Sequence, residues 1–166
     1  MPTPTIEGDI VLGTAAAGVM LRNDNHLAIG ATTSGTYWAW VEDFNPIPPV
    51  DMSTNDKPIV YDYGSRAGGD IPIMRRYQFE FYAEWATAAG LADLLADLTA
   101  LSVPLQSGTT ELSFKFAGIV WTLDGRYEPI SMAGTELALS KKIGVFLVRF
   151  RATDPVLRGA GAQTII

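Results

Sequence analysis

An uninterrupted alternation of apolar and polar side chains, from Arg75 to Trp85, constrains the fold more than any other feature of this sequence. A period of two is typical of a β-strand that buries one face and exposes the other. The chain must therefore contain a sheet with a one-sided core. The residues that would face this core are Tyr77, Phe79, Phe81, Ala83 and Trp85.

A helix is predicted directly after this strand, from about Thr87 to Leu101 (87–101). Leucines recur there at three- and four-residue steps, which indicates a helix with one apolar face. Pro104 disfavours helical geometry in the residue before it and ends the segment. We expect the apolar face to pack on the sheet and to bury both Leu94 and Leu95.

Further strands are predicted in the second half of the chain. The apolar alternation of Leu112 to Phe116 continues out of phase from Ile119 to Leu123, which predicts a β-bulge at Ala117-Gly118. Asp-Gly is a strong hairpin-turn sequence, so we expect the chain to reverse at Asp124-Gly125 and to return over Arg126 to Ile130.

The last predicted strand, Ile143 to Ala152, is apolar on both faces and should be central or covered on both sides. The long segment Glu42 to Asp70 is expected to be mostly extended loop, and Ser131 to Lys142 is expected to be a polar loop. Shorter strands are predicted at Asp9–Leu12, Val19–Leu21, Leu27–Ile29, Thr36–Val41 and Ile59–Tyr63.

These elements predict an α+β fold that is mainly β. We expect one β-rich domain over residues 1–158 and a glycine-rich C-terminal arm over residues 159–166. Hydrophobic residues make up 48% of the chain and charged residues only 18%, which leaves apolar surface that association with sister subunits would bury. Both long loops and the arm are expected to contact neighbouring chains.

Composition also excludes several classes of protein. The chain has no cysteine, hence no disulfide or thiolate metal site. The net charge of −6 disfavours specific nucleic-acid binding. The uncharged run Ile10 to Leu21 is too short to span a membrane, and the acidic N-terminus before Arg22 is unlike a signal peptide. No membrane insertion is expected.

No catalytic constellation is found in the sequence. The single histidine, His26, has no recognisable serine or aspartate partners around it. The glycine-rich segment Gly64 to Gly69 lacks the lysine and the following helix of a phosphate-binding loop. We therefore expect no catalytic residue, no metal ligand, no cofactor and no enzymatic activity.

The stretch from Ile59 to Arg158 resembles the N-terminal domain of the distal tail proteins of long-tailed, siphovirus-type bacteriophages. The resemblance lies in a first strand, Arg75 to Phe81, and in a helix that crosses the sheet and contains a sequence like Gly90 to Leu95. It continues in a hairpin, Trp121 to Tyr127, and in a closing strand that runs into Asp-Pro, Val148 to Pro155.

This resemblance implies a split-barrel or β-sandwich-like domain with one packed helix, which assembles into a hexameric ring. The ring would join the tail tube to the tail tip or baseplate hub, in a virion tail assembled in the host bacterial cytoplasm. Many members of the family carry a second, carbohydrate-module-like domain. This sequence continues only briefly past Asp154-Pro155, so no such domain is expected.

The sequence is also compatible with other hypotheses of function. A tail-tube or tail-terminator subunit is also small, β-rich and ring-forming. A split-barrel flavin-dependent oxidoreductase would need basic residues around the flavin phosphate. A monomeric carbohydrate-binding module would have to present Trp38, Trp40 and Trp121 to solvent.

Overall fold

The computed structural model shows a mainly β chain with a single long helix among the residues it describes. It describes residues 3–14, 18–23, 36–53, 57–58, 65–66, 71–102, 110–133, 140–154, 156–160 and 163–165. The first elements are β1 (Ile10–Leu12), β2 (Val19–Asn23), β3 (Tyr37–Val41), β4 (Val50–Ser53), β5 (Lys57–Pro58), β6 (Ser65–Arg66), β7 (Ile71–Trp85) and α1 (Ala88–Ser102). The remaining strands are β8 (Thr110–Phe116), β9 (Ile119–Tyr127), β10 (Ser131–Ala133), β11 (Ile143–Ala152), β12 (Leu157–Gly159) and β13 (Gln163–Ile165).

Seven of these strands close into a barrel. Their order is β11-β7-β3-β2-β1-β8-β9, and β9 pairs with β11 to complete the circle. The described pairings around the barrel are antiparallel, except for the parallel pair β2–β3. The prediction of a mainly β fold with one packed helix is confirmed.

The interior of the barrel is aromatic and aliphatic, as the alternation in β7 predicts. Phe81 stacks on Phe146 of the neighbouring strand with ring centroids 5.1 Å apart. On β11, the residues Phe146, Val148 and Phe150 point inward, while Val145 and Leu147 lie half-buried on the outer face. All five residues expected to face the core from β7 are buried: Tyr77, Phe79, Phe81, Ala83 and Trp85.

Helix α1 packs against β3, β7 and β9 at one end of the barrel, which we call the helix end. The Thr87 hydroxyl accepts a hydrogen bond from the Gly90 N–H at 3.3 Å and so caps the first turn. Leu94 and Leu98 are fully packed, but Leu95 is 41% exposed, so the expectation that Leu95 is buried is wrong. Consecutive helical residues point about 100° apart, and the barrel end covers only one of these directions.

The hairpin between β8 and β9 turns at Ala117-Gly118, where a bulge was expected. Both residues have positive φ, 54° and 76°, as a two-residue type I′ turn requires. Phe116 pairs directly with Ile119 across this turn. The out-of-phase alternation in the sequence therefore reflects chain reversal. The opposite end of the barrel from the helix contains this turn, and we call it the open end.

The predicted turn at Asp124-Gly125 is also wrong, because β9 runs straight through both residues. Gly125 lies where the barrel closes and pairs with Ala152 of β11. A Cβ atom at position 125 would lie 2.2 Å from the backbone oxygen of Arg151 and 2.5 Å from the ring of Phe150. Glycine is required here because two strands approach closely.

The long segments contain more pairing than expected. Within Glu42 to Asp70, β4 pairs with the first half of β7 and β5 pairs with β6. Ser131–Ala133 pairs with β11. The antiparallel pair of β12 and β13 extends the sheet from the edge of β9. The expected boundary between domain and arm at residue 158 stays a prediction. His26 and the expected strands Leu27–Ile29 and Ile59–Tyr63 lie outside the described residues.

Candidate functional site

No described helix is both long enough and apolar enough to cross a membrane. Within the described ranges, no three histidine, cysteine or carboxylate side chains come together as metal ligands would. The expectation of no catalytic or metal residue stays a prediction, since His26 is not among those residues. The features that do stand out are surfaces at the two ends and on the outer wall of the barrel.

The N-terminal segment is fastened to the open end by two carboxylates. Asp9 is completely buried and accepts hydrogen bonds from the Ile6 N–H at 3.0 Å and from Arg22 at 2.7 Å. Glu7 accepts the backbone N–H groups of Ala117 and Gly118 at 2.5 and 3.1 Å. These bonds fix the hairpin turn and the N-terminal segment into one surface.

The ring of Phe44 packs into the open end of the barrel. It stacks on Tyr77 at 5.9 Å and meets the rings of Phe79 and Phe114 edge-on at 5.1 and 5.2 Å. The Tyr77 hydroxyl donates to the Pro46 carbonyl at 3.2 Å, and burial raises the pKa of Tyr77 to about 12. The segment after β3 is therefore packed into the barrel mouth and does not hang free.

Large exposed hydrophobic side chains gather at the two ends of the barrel. Ile6, Ile47 and Phe116 surround the open end, while Leu95 and Ile143 lie at the helix end. At the open end a cleft of about 320 Å³ runs between the N-terminal turn, the segment after β3 and the hairpin. Exposed apolar groups concentrated in this way are typical of surfaces that contact other proteins.

The consecutive arginines Arg75 and Arg76 lie in different environments. Arg76 forms an ion pair with Asp51 of β4 at 2.9 Å. Arg75 points into the barrel and is 1% exposed, and its Nε and Nη1 atoms have no hydrogen-bond partner among the described residues. The sequence alternation places Arg75 on the inner face, so its burial could have been predicted from the pattern.

The tryptophans proposed as sugar-binding platforms are covered. Trp40 and Trp121 are 6% and 5% exposed, and Trp38 is half-buried. Trp40 stacks on Tyr82 with ring centroids 5.6 Å apart, and the Trp121 N–H donates to the Phe116 carbonyl at 3.1 Å. A carbohydrate module that presents Trp40 and Trp121 to solvent is inconsistent with this structure.

The outer wall of the barrel carries two oppositely charged surfaces side by side. Exposed arginines of β7, β9 and β11 form one of them, and the carboxylates of Glu42, Asp43 and Glu80 line a groove of about 380 Å³ beside it. Gln78 borders both surfaces. Sequence reasoning missed this arrangement, because it depends on which residues face each other across three strands.

Comparison with known proteins gives one informative result. No protein-family model matches the chain, and no curated protein sequence matches it. Among solved structures, the fold is similar to that of the SPP1 Dit protein (gp 19.1), described as a paradigm of the hub adsorption apparatus in phages that infect Gram-positive bacteria. The TM-score is 0.54 at 13% sequence identity, and the match covers 76% of this chain. This chain spans about half of the Dit protein, 48% of its length.

Proposed function

We propose that this protein is a structural component of a bacteriophage tail, a distal tail protein at the hub that joins the tail tube to the tail tip. The similarity of its closed barrel and single helix to the SPP1 Dit protein carries the proposal. The sequence motifs of β7, α1 and β11 independently favour the same family. In this role the protein has no enzymatic activity and resides in the virion tail.

The finer form of the proposal is a homohexameric ring. Exposed hydrophobic side chains at both ends of the barrel support contacts of this ring with other tail proteins above and below it. The number of six subunits is what the resemblance to distal tail proteins implies. Closed rings are the usual outcome when each subunit repeats one head-to-tail contact.

Native mass spectrometry of the purified 17.9 kDa chain, with negative-stain microscopy of the same sample, tests this function. We expect hexamers and ring-shaped class averages with six-fold symmetry. A second sample should contain the chain mixed with a tail-tube extract from the phage that encodes it, since such a partner can nucleate the ring. A strictly monomeric chain in both samples would contradict the proposal.

A further inference from the structure

Three arginines from three neighbouring strands lie side by side on the outer wall of the barrel. Arg151 of β11 pairs in register with Arg126 of β9 on one side and with Arg76 of β7 on the other. Arg149 follows on the same face of β11, and all four side chains are exposed. We call these four residues the arginine row. Like charges directly opposite each other across strands destabilise a sheet, so the fold alone gives no reason for this register.

The charge of the arginine row is only half compensated by the residues that the structure describes. Arg76 pairs with Asp51, and the Arg151 Nε donates to Glu128 at 2.6 Å. Arg149 donates to the neutral Gln78 at 3.3 Å, and Arg126 has no hydrogen bond or ion pair with any described residue. Two guanidinium groups thus have no carboxylate partner within the described ranges, in a chain whose net charge is −6.

The groove beside the row has the opposite character. Glu42, Asp43 and Glu80 are exposed at its rim, and Tyr82, stacked on Trp40, forms part of its floor. The carboxylates of Asp43 and Glu80 form no ion pair or hydrogen bond within the described part of the chain. Carboxylates above an aromatic floor suit arginine, whose planar guanidinium binds carboxylates with two hydrogen bonds and stacks on rings. We call this the acidic groove.

We propose that the arginine row of one copy of this protein docks onto the acidic groove of a second copy. The inference goes beyond the proposed ring, because it names a contact that pairs two copies of this protein. Because the two surfaces lie side by side on one wall and share Gln78, two copies related by a two-fold axis can dock reciprocally, with the row of each copy against the groove of the other. A polyanion such as nucleic acid fits less well, because the adjacent carboxylates would repel it.

Charge reversal with rescue tests this contact. The row variant is Arg126→Glu with Arg149→Glu, the two arginines that pair with no described carboxylate. The groove variant is Asp43→Arg with Glu80→Arg. We expect each to raise the apparent dissociation constant of self-association at least tenfold in sedimentation at low salt. The variant with all four changes should recover wild-type association. Lys141→Glu, an exposed charge change away from both surfaces, should leave it unchanged, and circular dichroism should show that all variants are folded.

A second measurement uses the absence of natural cysteine. Chains carrying Arg149→Cys are mixed with chains carrying Glu80→Cys and oxidised, and mixed disulfide dimers should form in excess over either self-dimer. Failure of the four-change variant to recover, or an absence of mixed dimers, would overturn the contact. If the wild type and both reversal variants self-associate equally strongly, the contact is wrong and the proposed ring is unaffected. A wild type that binds duplex DNA through Arg126 and Arg149 would show a polyanion to be the true occupant.

Discussion

Substitution of Gly125 tests where the barrel closes and where the chain turns. In Gly125→Ala, the new methyl group would meet the backbone oxygen of Arg151 at 2.2 Å. No side-chain rotation relieves this contact, so β9 and β11 must move apart at their pairing. We expect a loss of roughly 3 kcal/mol, at the upper end of overpacking costs. For a domain of this size, that loss lowers the melting temperature by about 6–12 °C.

Gly118 provides the matched control. It has a φ of 76° in the hairpin turn, and a Cβ atom there would meet nothing within 4 Å. Asparagine tolerates left-handed backbone, so Gly118→Asn should cost about 1 kcal/mol or less. Gly125→Asn should unfold the barrel at least as readily as Gly125→Ala. Thermal and urea unfolding by circular dichroism measures both sites.

The reverse result would refute this reasoning. If Asp124-Gly125 were the turn, as the sequence alone suggests, Gly125→Asn would be tolerated. Gly118 would then lie inside a strand, and Gly118→Asn would be the damaging change. Equal effects at the two positions would likewise show that strand closure does not require glycine at position 125.

Three further predictions concern stability. Leu94→Ala should cost about 2–5 kcal/mol, whereas Leu95→Ala should stay within about 0.5 kcal/mol, and equal urea midpoints would contradict the helix orientation. Asp9→Ala should cost roughly 3 kcal/mol, because it leaves Arg22 without its buried partner, while breaking the exposed Arg158–Asp154 pair by Asp154→Ala should cost under about 1 kcal/mol. Burial on folding raises the pKa of Tyr77 to about 12, whereas an unfolded tyrosine ionises near pH 10. The contribution of Tyr77 to the free energy of unfolding is therefore complete below about pH 10 and is lost as the pH rises toward 12. Tyr77→Phe should therefore weaken the alkaline fall in unfolding free energy, and an unchanged pH profile would show that this tyrosine is not responsible.

Local patterns in the sequence predict the elements whose packing is one-sided. Three patterns each repeat over many residues: the alternation in β7, the leucine spacing of α1 and the apolar run of β11. The secondary structure that each pattern favours locally is therefore the one that the barrel contains. The prediction that Leu95 is buried is wrong because the leucine-rich face of the helix is wider than the barrel surface that covers it. Only the position of the barrel end decides which leucine is buried.

The features that local sequence patterns predict wrongly are determined by pairing between strands that are distant in the chain. Asp-Gly is a strong turn signal, but the approach of β11 to Gly125 fixes an extended backbone there. Ala117-Gly118 gives a weak turn signal, because alanine rarely adopts positive φ. The arginine row depends on register across the closure of the barrel, which no local pattern encodes. Its members are separated by up to 75 positions in the chain, from Arg76 to Arg151.

Cryo-electron microscopy of the tail end of phage particles containing this protein tests the proposed function most directly. We expect six copies of the barrel in one ring around the tail axis, between the tube and the tip. A stack of such rings along the whole tube would instead identify a tail-tube subunit. An isolated single copy, or the absence of the chain from the tail, would contradict the proposal.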